Sequence, residues 1–122
     1  MNQGGGYTQD YMKVATYAPI KNEADNGLKN VRGSIAMART GDPNSATNQF
    51  FINTVNNRSL NFRDKSVSGW GYCVFGQVKQ GMDVMDKIAA MRTGPGGPFS
   101  SDVPVTPVVI KQVTLIKDKA KK

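Results

Sequence analysis

With 122 residues the chain has room for one modest domain and not two, and a single core at this size buries roughly two thirds of the unfolded surface. Its 16 Lys and Arg against 9 acidic residues leave a net charge of +7, but Lys117, Lys119, Lys121 and Lys122 gather in a basic tail over 117–122 and the other cations are scattered. Specific nucleic-acid recognition is therefore not expected. The absence of histidine excludes imidazole metal sites, triads and acid–base relays, so no metal or other cofactor is called for.

The opening Met1-Asn2-Gln3-Gly4-Gly5-Gly6-Tyr7 reads either as a strand end entering a glycine turn or as a flexible leader, with composition favouring the leader. From Thr8 to Asn30 the residues are polar, with Pro19, Gly27 and several Asn, which predicts a long surface loop of little regular structure. Gly33 to Ala38 predicts a short strand, with Ile35 and Met37 on one face and the small Ser34, Ala36 and Ala38 on the other. The turn formers Thr40 to Ser45 separate it from a second strand over Ser45 to Asn53, so that the two are expected to lie side by side.

In that second strand Gln49, Phe51 and Asn53 share one face and Phe50 and Ile52 the other. The second face is expected to be core. The first combines an amide with an exposed phenyl ring, a surface that suits the floor of a small-ligand or peptide pocket. Asn56 to Gly71 predicts an irregular stretch anchored by Leu60, Phe62 and Trp70, and Tyr72 to Val78 a third strand. Its lone Cys73 sits in an apolar run and is expected to be a buried thiol, in reducing surroundings.

Met82 to Met91 predicts a helix whose Met85, Ile88 and Ala89 face the core, stopped by Gly94. Pro95-Gly96-Gly97-Pro98 predicts a loop, and the alternation from Val108 to Ile116 a closing strand. The chain is thus mainly β, with one helix in its C-terminal half. No run reaches the roughly 18 apolar residues of a membrane span, and no export leader pattern is present.

Gly4-Gly5-Gly6 lacks the strand, helix and Lys-Ser/Thr of a phosphate loop, and Asp83 with Asp86 fits a solvated helix face. No convincing nucleophile is present. An enzyme built from these residues needs a reaction that requires neither covalent attack nor proton transfer.

Four segments, Met1 to Tyr7, Gly33 to Arg39, Ser45 to Ile52 and Tyr72 to Val78, resemble successive signatures of the cyclophilin family of peptidyl-prolyl isomerases, in family order. Pro19 to Ala24 and Gly69 to Phe75 are similar to its bacterial branch. The resemblance implies an antiparallel β-barrel and isomerisation of X-Pro peptide bonds in protein folding. Its partners are then proline-containing peptides and unfolded proteins, with no membrane attachment. Rotating such an amide breaks no bond but crosses a barrier of about 20 kcal/mol set by resonance, so a catalyst needs only to hold and polarise.

By matching position, the resemblance implies Gln3 as donor to the substrate carbonyl and Phe51 as pocket floor, with Met1 and Leu60 as apolar walls and Tyr72 at the rim. It implies Ala38, Arg39 and Thr40 as the channel for residues preceding proline, and Gln49 beside Phe51. Ser59 stands where many relatives carry a tryptophan that contacts cyclosporin, so weak drug binding is expected. The family's two leading strands, helix and Phe-His-Arg strand have no counterpart before Met1, and that motif's arginine is the principal catalytic donor. The barrel is therefore expected to be incomplete at its N-terminus, with activity of this chain in question and a monomer expected if the barrel is completed. A proline-peptide binding module, or an inactive fragment, is the alternative. The location implied is cytoplasmic, or periplasmic if a leader lies upstream.

Overall fold

The computed structural model describes residues 1–116, so the basic tail lies outside the described residues. Four short strands form an antiparallel sheet: β1 (Asn2–Gly4), β2 (Ser34–Met37), β3 (Phe50–Ile52) and β4 (Val74–Gln77), in the order β1-β3-β2-β4. Its centre is the expected neighbour pair, β2 and β3, in which Ala36 stands opposite Phe51. The first residues are a strand end and not a leader, because β1 pairs with β3 and sets Gln3 opposite Phe51.

The polar stretch 8–30 is irregular as expected, with one 3-10 turn at Ala24–Asn26 and single bridges from Tyr7 to Lys13 and from Ile20 to Ala46. Helix α1 (Met82–Ala89) ends five residues short of Gly94, and its expected core stripe is only partly covered: Met85 and Ile88 are half-buried and Ala89 is exposed. It lies beside β1, where Asn2 Nδ2 donates to the Met85 carbonyl at 2.9 Å.

Four expectations need correction. The Pro95–Pro98 run is not a free loop, since β5 (Thr93–Gly96) and β6 (Phe99–Pro104) make a hairpin around Gly97-Pro98. The Tyr11 ring lies against Gly96 and Gly97, where any side chain would collide with it. Tyr7 and Phe99 meet edge to face at 5.2 Å, and these contacts dock the hairpin on the 7–13 loop.

The alternating segment from Val108 to Ile116 forms no strand. Its side chains are exposed, with Leu115 at 86%, and no described strand lies alongside to pair with it. Alternation supplies a face but not a partner, and an unpaired extended chain is not a strand. Phe51, expected to expose its ring, is instead 1% exposed, while Phe50 and Ile52 on the expected core face are half-buried. Pairing parity is as expected, and the difference lies in which face the loops cover. Cys73, on the same side as Phe75, is half-buried and not enclosed.

Candidate functional site

One row of residues crosses the sheet on a single face. Gln3, Phe51, Ala36 and Val74 are successive partners from β1 through β3 and β2 to β4. The last three are buried and form the apolar centre of the described residues, with Ala38, Leu60 and Tyr72 packed against them. Tyr72 meets Phe51 edge to face, ring centres 5.7 Å apart. Of the expected site residues the fold thus gathers Gln3, Ala38, Phe51, Leu60 and Tyr72, which lie far apart along the chain.

Leu60 and Tyr72 belong to the irregular segment 53–73, and buried asparagines hold that segment to the sheet. Asn53, two residues beyond Phe51 on the same face, donates from Nδ2 to Asn30 Oδ1 at 3.0 Å and to Ser34 Oγ at 2.9 Å. Asn30 donates in turn to the carbonyls of Leu60 at 3.1 Å and Tyr72 at 3.2 Å, and its backbone N–H donates to Asn61 Oδ1 at 2.6 Å. Both asparagines are at most 1% exposed, so these bonds form where water cannot replace them. Sequence reasoning placed Asn53 on the right face and missed Asn30, whose partners lie more than twenty residues away and leave no local pattern.

Gly71 fixes the entry to Tyr72. Its φ is +72°, and a side chain there would stand 2.6 Å from the Leu60 carbonyl oxygen and 2.7 Å from the backbone of Asn61 and Phe62. Only glycine permits that approach. The Gly71 carbonyl accepts from Arg39 Nε at 2.9 Å and from Asn22 Nδ2 at 3.2 Å. The anchors Phe62 and Trp70 pack edge to face at 5.2 Å, as expected of them.

The polar candidates flank this cluster. Gln3 is exposed and its Nε2 donates to Gln49 Oε1 at 3.0 Å, so the two amides form a ledge beside Phe51. Arg39 lies over the Tyr72 ring, 4.6 Å from its centre. Thr40 is exposed and engages Ser45, turned toward the 40–45 loop, and Met1 is 57% exposed beyond the end of β1. Those two are not gathered into the cluster. On the other side of the sheet a cavity of about 280 Å³ is lined by Ile20, Met37, Ala46, Cys73 and Phe75, with Lys21, Glu23 and Arg39 at its margin. Phe51 and Gln3 take no part in it. Partial burial pushes the Cys73 thiol up, which keeps it protonated and unreactive at neutral pH.

Among the described residues no group of acidic, cysteine or histidine side chains could hold a metal. The cluster offers an apolar seat framed by Leu60 and Tyr72 and backed by Phe51, with amide and guanidinium donors at its edge. That set can desolvate a small ring and donate hydrogen bonds to a neighbouring carbonyl, which is what amide rotation requires.

Comparison with known proteins agrees with that chemistry. The family model for cyclophilin type peptidyl-prolyl cis-trans isomerase/CLD matches residues 1–115. Peptidyl-prolyl cis-trans isomerase B of Escherichia coli is 56% identical over 115 residues, covering 94% of this chain and 70% of that protein. Peptidyl-prolyl cis-trans isomerase cyp18 of Streptomyces antibioticus is 53% identical over 116 residues, covering 95% and 69%. Peptidyl-prolyl cis-trans isomerase A of Dickeya dadantii is 50% identical over 117 residues, covering 96% and 60%. The match takes in every strand of the sheet and every residue of the cluster, and the chain belongs to the cyclophilin-type peptidyl-prolyl cis-trans isomerases, an enzyme family.

Proposed function

We propose that this chain seats the proline of an X-Pro segment against Leu60 and Tyr72, with Phe51 behind them, and eases rotation of the preceding amide through donation from Gln3. The observation that carries this reading is the continuous row Gln3–Phe51–Ala36–Val74, which sets an exposed amide donor one strand away from the only large buried ring among the described residues. A twisted amide loses resonance and becomes a better hydrogen-bond acceptor, so a fixed donor beside a desolvated ring binds the transition state more tightly than either planar isomer.

The substrates are then proline-containing peptides and unfolded proteins. Ser59 is exposed and presents no ring next to Leu60, which supports weak cyclosporin binding. With no histidine the sequence holds no Phe-His-Arg strand, so Gln3 is the donor this reading leaves at the carbonyl, and turnover by this chain is slow relative to a version that carries such a strand. A monomer is expected of a closed barrel, and the free thiol supports the cytoplasm as the location.

The test is exchange spectroscopy on an Ala-Pro test peptide, which reads binding and the cis–trans rate together. Binding that is lost in Phe51→Ala and in the less disruptive Leu60→Ala supports the reading. Binding unchanged in both moves the site elsewhere. A rate equal to that of a version with the upstream strands restored overturns the limited role given to Gln3.

A further inference from the structure

The apolar seat and the amide donor beside it are held by different parts of the chain. Leu60 and Tyr72 are tied down through Asn30 and Gly71. Gln3 is exposed, and its Nε2 donates to Gln49 Oε1 at 3.0 Å. Gln49 in turn lies flat on the buried Gly6, where a Cβ would stand 2.6 Å from its Cγ and Cδ and 2.8 Å from its Nε2. The Gly6 carbonyl accepts from the Val14 N–H at 3.0 Å, Tyr7 bridges to Lys13, and Asn48 Nδ2 donates to the Val14 carbonyl at 3.3 Å. Loop 7–14 therefore carries the glycine on which Gln49 rests.

That loop is clamped from outside by the β5–β6 hairpin. Tyr7 meets Phe99 edge to face at 5.2 Å, and the Tyr11 ring covers Gly96 and Gly97. Tyr11 has φ at +63°, a left-handed backbone that a bulky residue keeps only where its surroundings impose it. Here the hairpin's hold on the ring imposes it. We infer that Tyr11 and Phe99 are positioning residues for the isomerisation: they hold loop 7–14 and Gly6 against Gln49, and Gln49 aims the Gln3 amide. This rests on the functional reading above for the role of Gln3. The aim matters because the two ends of an amide are opposite in kind. Gln49 Oε1 engages one N–H of Gln3 Nε2 and leaves the second for the substrate, whereas the same amide turned by half a rotation would present Oε1 to a carbonyl and repel it.

A Gln3 side chain released from Gln49 divides its time among about three χ1 wells, so the catalysed rate is expected to fall about threefold. The test is exchange spectroscopy on an Ala-Pro peptide with the full chain and with Phe99→Ala, Tyr7→Leu and Phe99→Tyr. Phe99→Ala and Tyr7→Leu break one contact from its two sides. Each is expected to lower the rate at saturating peptide by that factor, to leave the peptide's affinity unchanged, and to shift the side-chain NH2 signals of Gln3 and Gln49. Phe99→Tyr keeps the ring and the rate. In a Gln3→Ala background Phe99→Ala is expected to slow nothing further, because both act through one donor. A rate unchanged in both Phe99→Ala and Tyr7→Leu, a fall matched by an equal loss of affinity, or an undiminished fall in the Gln3→Ala background overturns the inference alone. A rate that Gln3→Ala itself leaves unchanged overturns the donor role in the functional reading, and this inference with it.

Discussion

The two faces of the four-stranded sheet come from alternate residues of the same strands, yet they are closed to very different degrees. On one face Ala36, Phe51 and Val74 are sealed by Leu60 and Tyr72, and the sealing segment is tied down by Asn30, Asn53 and Gly71. On the other, Ile35, Met37, Phe50 and Ile52 are half-buried and Phe75 is 54% exposed, and the segments around Ile20 and Ala46 leave a cavity beside Met37 and Phe75. Both faces are apolar enough to be core. The difference teaches that here burial follows polar tethering: a loop of little hydrophobicity encloses a phenylalanine because its backbone carbonyls find buried amide partners.

Six substitutions test that contrast. The largest effect is expected from Phe51→Ala, which empties the sealed face and costs about 3–5 kcal/mol, whereas Phe75→Ala on the open face costs under about 1.5 kcal/mol. Denaturant melts of the two variants check this, and equal losses would erase the distinction between the faces. Gly71→Ala follows at about 3 kcal/mol, because it combines a left-handed backbone with collision against Leu60 and Asn61. Amide exchange should show its damage centred on residues 60–72.

Asn30→Ala comes next, at about 1–3 kcal/mol, since it removes the side-chain partner of the Tyr72 carbonyl and takes one of their hydrogen bonds from the Leu60 carbonyl and the Asn53 amide. It is also expected to weaken proline-peptide binding without touching the peptide, which titration of the variant reads. Gln3→Ala separates function from packing: its exposed bond to Gln49 contributes less than about 1 kcal/mol, yet the isomerisation rate should fall roughly tenfold. The fall is smaller than for a buried oxyanion donor because water competes at an exposed amide.

The smallest effect is electrostatic. Arg32 donates to both oxygens of Asp86 at 2.7 and 2.8 Å, so the expected solvated face carries one tie to the sheet. That hydrogen bond, then its charge, holds the Asp86 carboxyl below the usual carboxylate range. A lowered folded value means the contribution is complete at neutral pH and fades as acid carries the solution through and below that range. Both side chains are about half exposed, so Asp86→Asn should shift the melting temperature little at neutral pH and not at all in about 1 M salt. A shift that persists in salt would mean that helix packing, and not charge, is involved.

Strand parity and neighbour order were legible because a strand repeats every two residues, so Gln49, Phe51 and Asn53 had to share a face, and the turn at 40–45 had to return β3 toward β2. The family motifs were legible for the same local reason. The 108–116 alternation misled, because period alone cannot supply the pairing strand, and the Pro95–Pro98 run misled because a hairpin depends on Tyr11 some eighty residues earlier. The candidate site was legible in its members and not in its closure: Met1 and Thr40 stand apart, Phe51 is backing and not bare floor, and Asn30 went unseen.

By itself, then, the sequence determined the central strands and the helix, the alternation of the strands' side chains, the absence of imidazole chemistry and the family to which the chain belongs, all of them properties carried by neighbouring residues or by their spacing. Tertiary structure alone decided which face of the sheet closes, and it did so through Asn30, Gly71 and Arg39. Each of these acts on backbone more than thirty residues away in the chain or at a contact no local pattern encodes, and burial is a property of what covers a residue and not of the residue itself.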